Sequence, residues 1–145
     1  GNTQFSWMNN NRFYTLTSAT KASDELIFTR LGANDPDFNL RRDAAFMLRR
    51  NGAGDTVFAS IVEPHGSYSP VSEFAVNTNS SISELKVVHD NDDYSAVSIE
   101  DLKGRTSLFI LSNVDSSAAS DHRVKIGNKT YRWTGSYHYA NKENQ

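Results

Sequence analysis

The residues best able to do chemistry in this chain stand together in Glu63-Pro64-His65-Gly66, with Tyr68 just behind. Pro64 limits its own φ and biases Glu63 towards an extended conformation, while Gly66 permits a tight turn. The residues before them, Val57, Phe58, Ala59, Ser60, Ile61 and Val62, are rich in β-branched and aromatic types, so Thr56–Val62 reads as a strand with little solvent contact. Such a strand would deliver a carboxylate and an imidazole side by side at its end, on the rim of a sheet. The ordinary alternative is a β-turn carrying two solvated polar residues.

The other reactive side chains are dispersed. His65, His89, His122 and His138 fall on separate segments, and the pairs His89-Asp90 and Asp121-His122 read as solvated strand ends rather than ligands. A metal site from Glu63, His65 and His89 has nothing further to support it, so neither metal nor cofactor is expected. Tyr131 and Trp133, with Trp7, Tyr137 and Tyr139, offer rings that can stack on sugars from a flat sheet; packing in the core or at its rim is the competing use. Arg30, Arg41 and Arg42 can clamp a carboxylate, or simply guard a sheet edge. There is no nucleophile elbow, phosphate loop, HExxH or EF-hand pattern. These residues suit a binding or scaffold module better than a self-sufficient active site.

Strands must position them. Arg12–Thr17, Asp24–Leu31, Asp43–Arg50, Thr56–Val62, Glu73–Val76, Ser83–Asp90, Tyr94–Glu100, Thr106–Leu111, His122–Ile126 and Lys129–Trp133 are the candidates. Asp43–Arg50 also tolerates a helix, but it is short for one and strands surround it. Turn formers separate the segments: 32–37, then 51–55 as a hairpin turn into Thr56–Val62, then 91–93, Lys103-Gly104 and Gly127-Asn128. This rhythm predicts an all-β fold, a mainly antiparallel two-layer β-sandwich of about nine to ten strands. Residues 1–11 read as a linker or a remnant of cleavage, 12–137 as the sandwich domain, and 138–145 as a flexible tail.

Composition bounds the function. With 145 residues, one domain is expected. A net charge of −2, with basic residues scattered apart from the doublets Arg41-Arg42 and Arg49-Arg50, gives no phosphate track, so nucleic acid is not an expected partner. No apolar run approaches the ~18 residues of a membrane-spanning helix. A charged start followed by an apolar run is also missing, so a signal peptide is not expected. Zero cysteines exclude disulfides and thiolate metal sites and fit several compartments equally.

Four stretches, in order, resemble a known family: Arg30-Leu31-Gly32-Ala33-Asn34-Asp35-Pro36, Phe38-Asn39-Leu40-Arg41, Glu63-Pro64-His65-Gly66-Ser67-Tyr68 and Tyr131-Arg132-Trp133-Thr134-Gly135. They are similar to the C-terminal part of heparinase II/III-like polysaccharide lyases, above all the oligoalginate lyases of polysaccharide lyase family 17. The resemblance runs from about Arg12 to about Tyr137. It implies a β-sandwich beside an α/α toroid, with an acidic, alginate-type oligosaccharide in the cleft between them, in a periplasmic or secreted bacterial enzyme. Such enzymes cleave uronic acids by β-elimination. The resemblance places the neutralising and proton-abstracting groups upstream of this chain, so no catalytic residue is expected in it. Glu63 and His65 are implied to face the cleft and contact substrate, with Tyr68 a weaker candidate; bracing the domain interface is the competing role. Arg41 is expected to bridge the Asn-Asp-Pro turn. A free-standing module for acidic oligosaccharides, or a purely structural sandwich, are the alternatives.

Overall fold

The structure, a computed structural model, describes residues 1–32, 42–52 and 54–142. The described residues hold twelve strands and no helix. These are β1 (Asn2–Asn9), β2 (Arg12–Ala19), β3 (Asp24–Gly32), β4 (Arg42–Arg50), β5 (Ser60–Ser69), β6 (Phe74–Val76), β7 (Ile82–Asp90), β8 (Tyr94–Asp101), β9 (Thr106–Ser112), β10 (Asp121–Ile126), β11 (Lys129–Thr134) and β12 (Tyr137–Lys142). Every pairing between them is antiparallel. The all-β, sandwich-like architecture expected from the turn rhythm is therefore present. The chain forms two compact units, Gly1–Ala19 with Thr56–Gln145, and Thr20–Asp55.

The larger unit is built on two four-stranded sheets, ordered β1-β2-β5-β6 and β12-β9-β8-β7, and the hairpin β10-β11. Alternation decides what each face does. On the second sheet Ala96 and Ile110 are fully buried. Val124 of β10 closes over them, with Tyr94, Leu108, Ile126, Tyr131 and Trp133 around this core. The first sheet meets β7 with a different chemistry. Thr15 and Thr17 are almost wholly buried, as are Ile82 and Leu85. Two amides from β1 complete the join. Asn2 donates to the Leu85 carbonyl (2.6 Å) and accepts from the Leu85 amide (3.0 Å), while Gln4 donates to the Ile82 carbonyl (3.2 Å). Asn2 thus satisfies the outward peptide groups of an edge strand that would otherwise need water or another strand.

Four expectations are corrected. Residues 2–9 are not a linker but β1, paired with β2 across a turn in which Asn10 and Asn11 both take positive φ, 47° and 61°. Asparagine tolerates that conformation, so the Asn run is a hairpin tip. The polar appearance of β1 arises because Asn2, Gln4 and Ser6 alternate towards hydrogen-bonding partners in the sheet. Residues 138–142 are not a tail but most of β12, whose Tyr139 ring lies 4.6 Å from that of Phe109 on β9. The twelve strands exceed nine to ten by these two. Finally, Asn51-Gly52 does not turn β4 back onto the next strand: β4 pairs with β3, and β5 pairs with β2 and β6. The expected turn at 32–37 and the role assigned to Arg41 fall on 33–41, outside the described residues.

In the smaller unit β3 and β4 pair from Asp24↔Arg50 to Gly32↔Arg42. Its open end is closed by an ion fork. Arg50 donates through Nε to Asp24 Oδ1 and through a terminal nitrogen to Oδ2, both at 2.7 Å, and the Lys21 amide adds 2.8 Å to Oδ2. Glu25 and Arg49 pair beside it. The Arg50 hydrogen bonds, then that of Lys21, hold the Asp24 carboxyl at about 2, below its usual 3.8. Both side chains of the fork are almost wholly covered, and its two parallel hydrogen bonds are the strong geometry for a guanidinium and a carboxylate. A depressed carboxyl favours the folded hairpin above its ordinary titration range and loses that contribution as pH falls through the folded value. Protection of β3 and β4 amides from hydrogen exchange should therefore fall between about pH 4 and pH 2 in the wild type. Asp24→Asn should already be less protected at neutral pH and flat across that window. Parallel loss of protection in both proteins would contradict this role for Asp24.

Candidate functional site

The register of β1, β2 and β5 brings the expected pair onto one face. Thr15 lies opposite Ser6 on one side and Glu63 on the other, and Phe13 opposite His65. The strand does not stop at Val62. It runs Ser60–Ser69, so Glu63 and His65 are mid-strand and Thr56–Ala59 precede it. Pro64 is compatible because β5 is paired on one side only at this position, β6 joining from Ser67 onwards, and its φ suits extended chain.

Both ring nitrogens of His65 are engaged. Nδ1 lies 2.8 Å from the Asn77 carbonyl, an acceptor, so Nδ1 carries the proton. Nε2 lies 2.9 Å from Thr15 Oγ1, which is 2.7 Å from Ser6 Oγ. In the neutral ring Ser6 donates to Thr15 and Thr15 to His65; hydroxyl rotation reverses this chain when the ring is charged. Glu63 is equally committed. It accepts from the hydroxyls of Ser80 and Ser81, each at 2.5 Å, and from the Ser81 amide at 3.0 Å. Burial raises the Glu63 carboxyl, but these Ser80 and Ser81 hydrogen bonds and nearby His65 outweigh it and hold the group below its usual range.

Apart from Thr15, these partners lie in residues 77–81, the link that carries the chain from β6 to β7 and so from one sheet to the other. The bend that permits this is Gly66. Arg12 pairs with Ser67 and Phe13 with His65, leaving Gly66 as the extra residue of a bulge at φ 45°. A Cβ there would stand 2.1 Å from the Asn77 carbonyl oxygen and 2.2 Å from that of Val76. Tyr68 lies beyond the bulge, opposite Ala75 of β6, outside this network. The structure thus brings Glu63 and His65 together with their polar atoms turned towards the link, and leaves Tyr68 apart.

Tyr131 and Trp133 pack on the core. The indole of Trp133 stacks on His122 at 5.1 Å and meets Tyr94 edge-on at 5.6 Å, and its Nε1 donates to the Gly135 carbonyl. His122 is correspondingly buried and not a solvated strand end; it alternates to the same side of β10 as Val124. Among the described residues, no group of three His, Asp or Glu stands close enough to hold a metal ion.

One constellation was missed. On the outward face of β10-β11, Arg123 is directly opposite Arg132, with Lys125 two residues along the same face. Neither arginine has an ion-pair or hydrogen-bond partner among the described residues. Asp121, His122, Arg123, Arg132, Trp133 and Thr134 line an open pocket. The signal was available: a two-residue turn at Gly127-Asn128 fixes the register, and Gly127 takes the positive φ, 57°, of a primed hairpin turn. Nine residues apart in sequence, the arginines look scattered.

With this geometry in place, similarity to known proteins becomes informative. No protein-family model matches the chain. The chain is 35% identical, over 132 residues, to a protein of Stenotrophomonas maltophilia (strain K279a) named alginate lyase. Ninety per cent of the chain is covered, and 17% of that relative. It resembles one segment of a lyase. A second relative, the exo-oligoalginate lyase of Saccharophagus degradans (strain 2-40), is 29% identical over 89% of the chain and 18% of its own length. The chain therefore spans under a fifth of the length of the curated relatives it matches, and it is similar to one segment of each.

Two substitutions test the account of the link. Gly66→Ala should cost about 2–4 kcal/mol, because backbone rather than a movable side chain occupies the space; an unchanged Tm would refute the bulge. Glu63→Gln should lower Tm most near neutral pH, with the penalty shrinking as pH falls below about 4.5, where the wild-type carboxyl is protonated in the unfolded chain. A pH-independent penalty would show that charge on Glu63 is irrelevant.

Proposed function

We propose that this chain is the β-sandwich part of an alginate (uronic-acid polysaccharide) lyase of the heparinase II/III-like type, acting beside an α/α toroid. The observation that carries this reading is similarity over nine-tenths of the chain to proteins named for alginate cleavage. In this reading the reaction is β-elimination. The C5 proton of a uronate becomes acidic once the neighbouring carboxylate is neutralised, a base removes it, and an acid protonates the leaving glycosidic oxygen. Those groups are supplied by the toroid. This chain adds one wall of the substrate cleft and stabilises the toroid, with no turnover of its own, in a periplasmic or secreted enzyme.

The hydrogen bonding of Glu63 and His65 supports a bracing part for them in this reading. Their polar atoms are spent on Thr15 and on residues 77–81, which favours shaping the wall over touching sugar. A face for the toroid is offered by the other side of the first sheet, where Trp7 is 43% exposed and Val62 55%, with Tyr14 stacked on Trp7 at 5.6 Å. Apolar surface of this kind, alternating with a committed polar face, is what a domain contact uses.

Exchange of this chain for the matching segment of the Stenotrophomonas lyase tests the reading. The chimera should still release unsaturated uronate products, detected by the ultraviolet absorbance of the new conjugated double bond, while this chain alone should release none. A folded but inactive chimera, or turnover by the chain alone, would overturn the proposal.

A further inference from the structure

We infer that the outward face of β10-β11 is a binding site for the carboxylates of an acidic oligosaccharide, read by Arg123 and Arg132 with Lys125 beside them. The inference rests on the proposed lyase reading for its ligand class and on the hairpin for its geometry. Like charges directly opposite on adjacent strands destabilise a hairpin, and here a third cation, Lys125, lies along the same face. On the β3-β4 hairpin, by contrast, cations are matched across the strands: Arg50 with Asp24, and Arg49 with Glu25. The arginine pair has no such match among the described residues, although these 145 residues together carry a net charge of −2.

The arrangement suits a carboxylate. Two guanidinium groups from facing positions present planar donor forks to one anion or to two neighbouring anions, and a guanidinium engages a carboxylate through two parallel hydrogen bonds. The nearby Asp121 does not cancel them. Its Oδ1 accepts from Thr134 Oγ1 at 2.7 Å, and two arginines with one lysine outnumber it. Asp121, Arg123, Arg132 and Thr134 line the open pocket on this face, while the rings of His122 and Trp133, paired with each other, turn to the core on the other face and hold the hairpin in place. A polyuronate carries such a carboxylate on every residue, so Lys125, further along the strand, can meet the next one. The hairpin therefore holds an acidic chain along its strands rather than a single ion.

Calorimetric titration of the chain with defined uronate oligosaccharides tests this, with neutral cello-oligosaccharides and a single-stranded oligonucleotide as comparisons. Saturable binding of uronates alone is expected, weakening as salt is raised. Arg123→Gln and Arg132→Gln should each weaken it about fivefold, whereas Lys103→Gln, an equal charge change on a distant turn, should leave it unaltered. Folding is monitored in the same samples. Either arginine substitution should raise Tm by about 1–2 °C, since it removes the cross-strand repulsion. Uronate binding that survives both substitutions would overturn the site and leave the lyase reading standing. Absence of uronate binding by the wild type, or equal binding of the oligonucleotide, would also overturn it, and the chimera's activity would then decide the lyase reading separately.

Discussion

The larger unit depends on how residues 77–81 are held. This link has no strand partner, yet it must take the chain from one four-stranded sheet to the other. Glu63 and His65 supply the missing hydrogen bonds from mid-strand, two residues apart on one face, which is the spacing a strand gives to side chains acting together. Behind them Thr15 and Ser6 complete the ring's requirements, so an imidazole and a carboxylate can be held against protein with every partner supplied. The bulge at Gly66 is the other half of the same device. It lets β6 and the link approach the backbone of β5 more closely than any side chain would allow.

This explains why threonine, not leucine, fills the interior between the first sheet and β7. A hydroxyl there serves as acceptor and donor in the His65 chain, while Ile82 and Leu85 supply the buried apolar surface of β7. The aliphatic core lies elsewhere, under β10-β11. The two interiors divide the work: one specifies the connection by hydrogen bonds, and the other excludes water.

Strand existence was largely legible, because turn chemistry punctuates the chain and alternation is clear in segments such as Tyr94–Asp101. What escaped reading shares one cause. The polar residues of β1, the extension of β5 through Glu63-Pro64-His65-Gly66 and the polar strand β12 all place hydrophilic side chains where partners are waiting, and composition alone reads such residues as loops. Pairing of β4 with β3 rather than β5 is a tertiary choice that no local signal encodes. At the candidate site, the importance of Glu63 and His65 was visible but their partners in 77–81 were not, since partners arrive through topology. Arg123 and Arg132 were hidden for the opposite reason: the register that joins them was readable, but charge was weighed by runs along the sequence.

The side chain of Asn2 holds the edge of β7 at Leu85 by imitating a peptide unit, with one donor and one acceptor correctly spaced. An aspartate in its place would present acceptors alone, and the Leu85 carbonyl would then face like charge where it had faced a proton. Deamidation of this single residue, an ordinary event of protein ageing, would therefore unseal a strand edge and give copies of the chain a template for adding to one another. The lifetime of the soluble form is tied in this way to the chemical durability of one primary amide near the start of the sequence.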